Sequence, residues 1–164
     1  MGVWHRSKWG QAGSSIGELA LVVAIVGILT ALATPLFLTY YQASKLRVAA
    51  EEIASFINQG RQLAIKQNGN VCVHITATAV HYHLGNCANP VWIPPGVGTD
   101  SAGNLKAPDG VTLTPAATTI FTYLGAPTAG ATYTVTNPQN ASTLRVVVAT
   151  SGRVCIAPNP PSCP

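Results

Sequence analysis

The stretch GSSIGELALVVAIVGILTALATP, Gly13 to Pro35, decides how this chain is read. It holds an apolar run long enough to cross a membrane, yet it opens near a carboxylate, Glu18, and closes on a proline, Pro35. No charged residue occurs from Leu19 to Leu38. A helix rising about 1.5 Å per residue covers the roughly 30 Å hydrocarbon core of a bilayer over that length.

Three mechanisms place a basic start, Arg6 and Lys8, ahead of such a run. One is a secretory signal peptide with Ala31 and Ala33 as its small-residue cut site. Another is a plain signal anchor, whose two basic residues hold a short N-terminus in the cytoplasm. The remaining one is a leader, residues 1–13, cut after Gly13 on the cytoplasmic side so that the apolar helix stays on the mature protein. Glu18 separates them, because a carboxylate at the edge of an apolar helix is costly without a partner. A cut after Gly13 creates an α-amine at Ser14, with Glu18 as the fifth residue of the new chain. In a helical array the carboxylate of one subunit then pairs with the amine of its neighbour and sets register. Neither other mechanism gives Glu18 a role, and a cut after Ala33 leaves Pro35 beside the new terminus, a poor substrate context.

These residues resemble the N-terminal signature of type IV pilins and type II secretion pseudopilins. Gly13, Glu18 and Pro35 fit a basic prepilin leader ending in glycine, an acidic fifth residue and a proline at the twenty-second position of the processed chain. Ser14 stands where the family usually has phenylalanine. The resemblance implies cleavage between Gly13 and Ser14 by a prepilin peptidase, methylation of the new terminus, and assembly through Glu18 and Pro35. Pro35 is expected to kink or locally melt the helix, since it lacks an N–H and crowds the preceding turn; its plainer reading is a helix stop.

Charged residues make up only 9% of the 164-residue chain, beside 15 glycines and 12 prolines. From Phe37 onward seven basic residues face four acidic ones, and they are scattered rather than clustered. That balance permits weak contact with polyanions without demanding it. The portion beyond Phe37 is large enough for one modest core. All four cysteines, Cys72, Cys87, Cys155 and Cys163, follow the apolar run, which points to disulfides in an oxidising compartment. Three pairings are open, and Cys72 with Cys87 beside Cys155 with Cys163 is the simplest. No CxxC spacing supports zinc on these cysteines.

After Pro35 the pattern turns amphipathic. Leu46, Ala50, Ile53, Ile57, Gly60 and Ala64 recur at steps of three and four, widened by Phe56 and Leu63. Asn68–Asn70 (NGN) marks the exit, so one helix of roughly 80 Å is expected from about Ser14 to Gln67. The period then drops to two. Val71, Val73, Ile75, Val80, Tyr82 and Leu84 are expected to face a core, with Cys72, His74, His81 and His83 on the opposite face. Further strands are expected over Val111–Thr114, Thr119–Leu124, Thr132–Thr136, Leu144–Ala149 and Arg153–Ala157. Residues 89–109, rich in proline and glycine, read as an irregular loop anchored by Trp92.

This part resembles the FimT/GspH branch of pilin-like proteins. It does so in ASFINQGRQLAIKQNGNVCV, in the order Cys72, Cys87, Trp92, in FTYLGAPTAG, and in LRVVVATSGRVCI. The resemblance implies an α+β pilin fold: a long N-terminal helix, membrane-spanning in its first half, packed through its amphipathic second half on an antiparallel β-sheet head. The expected organisation is a leader over 1–13, an assembly helix over 14–38, an amphipathic helix over 39–68 and a disulfide-stabilised head over 69–164.

No nucleophile elbow, phosphate loop or H-E-x-x-H pattern occurs, and Asp100, shortly before Gly103, and Asp109, before Gly110, read as turn residues. The chain is therefore read as no enzyme, and without cofactor or metal. A hairpin can present three imidazoles to one ion, but His74, His81 and His83 are read as an exposed polar strand face. The resemblance implies a basic motif after the glycine of GR for those family members that take up DNA. Here Gly152 and Arg153 match, yet Val154, Cys155 and Ile156 follow and the tail carries no basic residue. DNA binding through Arg153, Arg145 and Lys106 would be weak and salt-dependent. The expected role is thus a minor pilin or pseudopilin, a subunit of a type IV pilus or a type II secretion pseudopilus. Its expected partners are other such subunits, the prepilin peptidase and the bacterial inner membrane, with the head in the periplasm before assembly. The alternatives are a DNA-uptake pilin and an anchored periplasmic binding domain that never polymerises.

Overall fold

The computed structural model describes residues 16–94, 98–106, 109–114 and 117–157. Gly13, Ser14 and Cys163 lie outside them. The chain divides into two compact units, Met1–Tyr40 and Tyr41–Pro164. One helix, α1, spans Ile16–Gln67 and contributes to both.

In the first unit α1 carries leucine, valine, isoleucine and alanine around its whole circumference. Its hydroxyls satisfy themselves: Thr30 Oγ1 donates to the Val26 carbonyl and Thr34 Oγ1 to that of Thr30, each at 2.7 Å. Pro35 does not stop the helix, which is assigned without a break to Gln67. The local melting expected of it is absent. Proline removes one backbone N–H from the ladder, and the helix continues past it.

In the second unit α1 buries Leu46, Ala49, Ala50, Ile53, Ile57, Gly60, Leu63 and Ala64 along one stripe. Small residues at Ala49, Ala50, Gly60 and Ala64 let the strands come close. A Cβ on Gly60 would run into Val73 Cγ2 and stand 3.1 Å from Tyr82 Cε1. Asn68 ends the helix in the left-handed conformation (φ 49°). The Gly69 N–H reaches back to the Ala64 carbonyl and the Asn68 N–H to that of Ile65, each at 3.2 Å. This is the Schellman arrangement, with asparagine where glycine is commoner.

Two antiparallel sheets follow. The first is ordered β3-β2-β1-β6, with β4 also paired to β2. Its strands are β1 (Val71–Ile75), β2 (Ala79–Leu84), β3 (Val91–Trp92), β4 (Asn104–Lys106) and β6 (Ala117–Phe121). The second is ordered β5-β7-β8-β9, from Thr112–Thr114, Ala131–Thr136, Thr143–Val148 and Val154–Ala157. The period-two sides supply the core: Val71, Val73, Ile75, Val80 and Tyr82 from the first sheet, and Leu113, Tyr133, Val135, Val146 and Val148 from the second. Full burial of Ile53 or Ile57 against them stabilises by about 1.5–3 kcal/mol each.

Two expectations are corrected. Residues 89–109 are not wholly irregular, since Val91–Trp92 and Asn104–Lys106 both pair with β2, placing Trp92 opposite Tyr82 and Leu105 opposite Val80. The open edge of β2 would otherwise leave its amides and carbonyls unpaired, and short segments with one apolar anchor are enough to cover it. Leu84 is 41% exposed rather than in the core. It is the last residue of β2, beside the Gly85 turn, and ends the row it shares with Val71 and Phe121.

Candidate functional site

The apolar stretch of α1 is the first candidate. Glu18 lies in the first turn and Pro35 inside the helix. Between them Leu19, Leu21, Val22, Val23, Ile25, Val26, Ile28, Leu29 and Leu32 are all exposed. The most apolar window has a mean hydropathy of 2.5 and none of it is buried within the chain. By length and composition this helix can cross a membrane.

The β1–β2 hairpin is the second candidate. Cys72 and Cys87 form a disulfide across 15 residues, with Cα atoms 5.3 Å apart, and Cys155 is also disulfide-bonded. The register sets Cys72 opposite His83 and His74 opposite His81, so all four side chains share the face turned from α1. That face is not the exposed polar surface expected from the sequence: His83 is only 6% exposed. The disulfide draws the Asn86–Asn89 turn back over the sheet, and His83 Nδ1 meets the Asn89 carbonyl oxygen at 2.7 Å. Asn89 Nδ2 in turn donates to the Leu84 carbonyl. The three imidazoles form a triangle with centroid separations of 6.0, 6.0 and 6.5 Å. Desolvation holds the His81 pKa below its ordinary value, with His74 and His83 adding to the effect and Asp100 opposing it.

Asp100 organises its own turn. Its Oδ1 accepts from the Ala102 and Asn104 N–H groups, and its Oδ2 from Asn104 Nδ2 at 2.8 Å. The Asn104 side-chain bond is the largest cause of a carboxyl pKa below the usual range. Asp109 is likewise lowered, chiefly by its contact with Lys106 at 2.8 Å.

The three basic residues suggested for DNA are not brought together. Arg145 lies on β8 opposite Ala157, with its Nε buried and lacking a hydrogen-bond partner. Arg153 lies beyond the opposite end of β8, where its carbonyl accepts from the Ala149 N–H. Four strand residues, about 13 Å, separate the two rows. Lys106 belongs to the other sheet and lines a groove shared with Glu51 and Glu52, whose carboxylates repel a phosphate backbone. Arg61 on α1 instead joins two distant turns. Its Nη1 donates to the Gly152 carbonyl at 3.3 Å, and its guanidinium lies beside Gly125. Both glycines have positive φ, and a Cβ on Gly152 would stand 2.6 Å from the Gly125 carbonyl oxygen. Sequence reasoning missed this junction. Its only trace was a glycine in each of two turn motifs.

A long helix laid by its second half on two antiparallel sheets is the pilin fold. The type IV minor pilin FimU of Pseudomonas aeruginosa shares it at 14% identity and a TM-score of 0.52, over 73% of this chain and 92% of that one. The minor pseudopilin EpsH from the type 2 secretion system of Vibrio cholerae shares it at 12% identity and 0.54, over 71% and 99%. At such identities the likeness concerns the fold. No curated protein matches the sequence. The family described as Type II transport protein GspH matches residues 49–152, and the chain belongs to this family.

Proposed function

We propose that the chain is a minor pilin or pseudopilin, made as a precursor in the bacterial inner membrane and processed after Gly13. Lipid covers the apolar helix first, and the helices of neighbouring subunits cover it after assembly into a pilus or pseudopilus. Burial of that surface supplies the association energy, while Glu18 pairs with the Ser14 amine of a neighbour and sets register. The head faces the periplasm or the exterior, stiffened by disulfides.

The observation that carries the reading is the combination of Glu18 in the first turn with a full circumference of exposed apolar side chains behind it. A helix that merely anchors has no need of that carboxylate. Intact mass of the full chain recovered from membranes tests the processing: loss of residues 1–13 is expected. Retention of Met1–Gly13 supports the plain anchor, and a start at Thr34 removes the assembly helix and the proposal with it. Co-assembly with other subunits is expected to be lost in Glu18→Ala; full retention would refute the register role.

A further inference from the structure

We propose that the face of the β1–β2 hairpin turned from α1 binds one zinc-class divalent cation through His74, His81 and His83. The strand register brings these residues to one place: His74 stands directly opposite His81, and His83 lies one row along on the same face. Three ring centroids within 6.5 Å of one another leave a space bounded by imidazole on three sides.

The state of His83 argues for a ligand rather than a solvated strand face. A carbonyl oxygen only accepts, so the 2.7 Å contact to Asn89 O puts the proton on Nδ1. Nε2 is then left with its lone pair. That atom is buried and has no hydrogen-bond partner, in a side chain 6% exposed. A buried acceptor without a partner is uncommon and requires an explanation. An imidazole that donates one ring N–H to a backbone carbonyl and turns the other nitrogen's lone pair to a cation is the usual arrangement of a metal-ligating histidine.

The donor set selects the class of ion. Imidazole suits zinc, copper and nickel, whereas magnesium and calcium take oxygen ligands. Three imidazoles on an ion at about 2.0–2.1 Å per bond have centroids about 5 Å apart. The rings stand somewhat wider than this, and as they are placed no group of three or more His, Cys, Asp or Glu side chains among the described residues could hold an ion without movement. Closure requires His74 and His81 to swing inward by about 1 Å toward His83, which the Asn89 bond holds fixed. Both are only half-buried, and His81 borders an open hollow lined also by Thr76, Asp100, Asn104 and Lys106, through which water can reach it. The ion would then tie β1 to β2 beside the Cys72–Cys87 disulfide.

Calorimetric titration of the oxidised full chain in detergent with zinc chloride tests this. One ion per chain is expected, with at least a tenfold loss of affinity in His74→Gln and in His81→Gln, and none in His5→Gln. Nitrogen NMR of the unaltered chain provides a readout that needs no variant: zinc is expected to shift His83 Nε2 while Nδ1 keeps its proton. Absence of saturable binding overturns the site, as does binding that survives both substitutions, follows His5, or leaves His83 Nε2 unmoved.

Discussion

Replacing Gly60 by alanine sets two opposing effects against each other inside the helix–sheet interface. In a helix interior alanine is favoured over glycine by about 0.8–1.0 kcal/mol, so an exposed site would gain stability. At Gly60 the new methyl meets Val73 Cγ2 far inside contact distance and Tyr82 Cε1 at 3.1 Å. Val73 is fully buried within the core. The Tyr82 ring is tied as well, because its hydroxyl donates to the Phe56 carbonyl at 2.8 Å and lies 3.1 Å from Gln59 Oε1. Overpacking of this kind costs about 1–3 kcal/mol, and displacing the Tyr82 hydroxyl adds about 1 kcal/mol. The overpacking side wins, with a net loss of about 1–3 kcal/mol, equivalent to a fall in Tm of about 3–10 °C for a unit of this size. Thermal unfolding followed by near-ultraviolet circular dichroism measures it. Gly27→Ala is the control: a Cβ there meets nothing within 4 Å, and the head's Tm should not move. An unchanged or higher Tm in Gly60→Ala would show that the sheet does not press on the helix at this point.

Removing the disulfide with Cys72→Ala and Cys87→Ala together opens a closure spanning 15 residues. A loss of about 3 kcal/mol is expected in urea unfolding, and reductant should shift the unaltered chain at least as far, since it also opens the Cys155 disulfide. At the helix exit Asn68 has φ 49°. Asn68→Val should cost about 1–2 kcal/mol, while Asn68→Gly should be neutral or slightly stabilising, both read from urea midpoints. The Asp100 pKa is lowered in the folded state, so the unfolded chain binds the proton more readily. Its contribution is fully present above the unfolded value of about 3.8–3.9 and is lost as pH falls through the lower folded value. Asp100→Asn should therefore flatten the acid limb of the stability profile, measured by urea midpoints from neutral to strongly acid pH.

Much of the architecture was legible because it is periodic. Leu46, Ala50, Ile53, Ile57, Gly60 and Ala64 repeat at helical spacing and are all buried. The alternation of Val71, Val73 and Ile75 predicted a strand, and these residues form its buried side. Strand ends fell within three residues of the observed ones, where turn chemistry competes with pairing. Residues 89–109 were read wrongly in part because two- and three-residue strands carry no period of their own. They exist only because β2 offers an edge. Arg61 was invisible for a related reason, since its partner, Gly152, lies 91 residues away.

The sequence by itself determined the apolar helix with its leading carboxylate, the switch to an amphipathic face, and the change from helical to strand period. Each of these is a property of neighbouring residues, expressed wherever one face must leave water. Only the tertiary structure decided what covers the other face of the first sheet. His83 alternates with Tyr82 as any exposed strand residue would. Yet a disulfide and a returning turn bury it and fix its proton on Nδ1. Burial on that side depends on which distant segment folds back, and no local period records that.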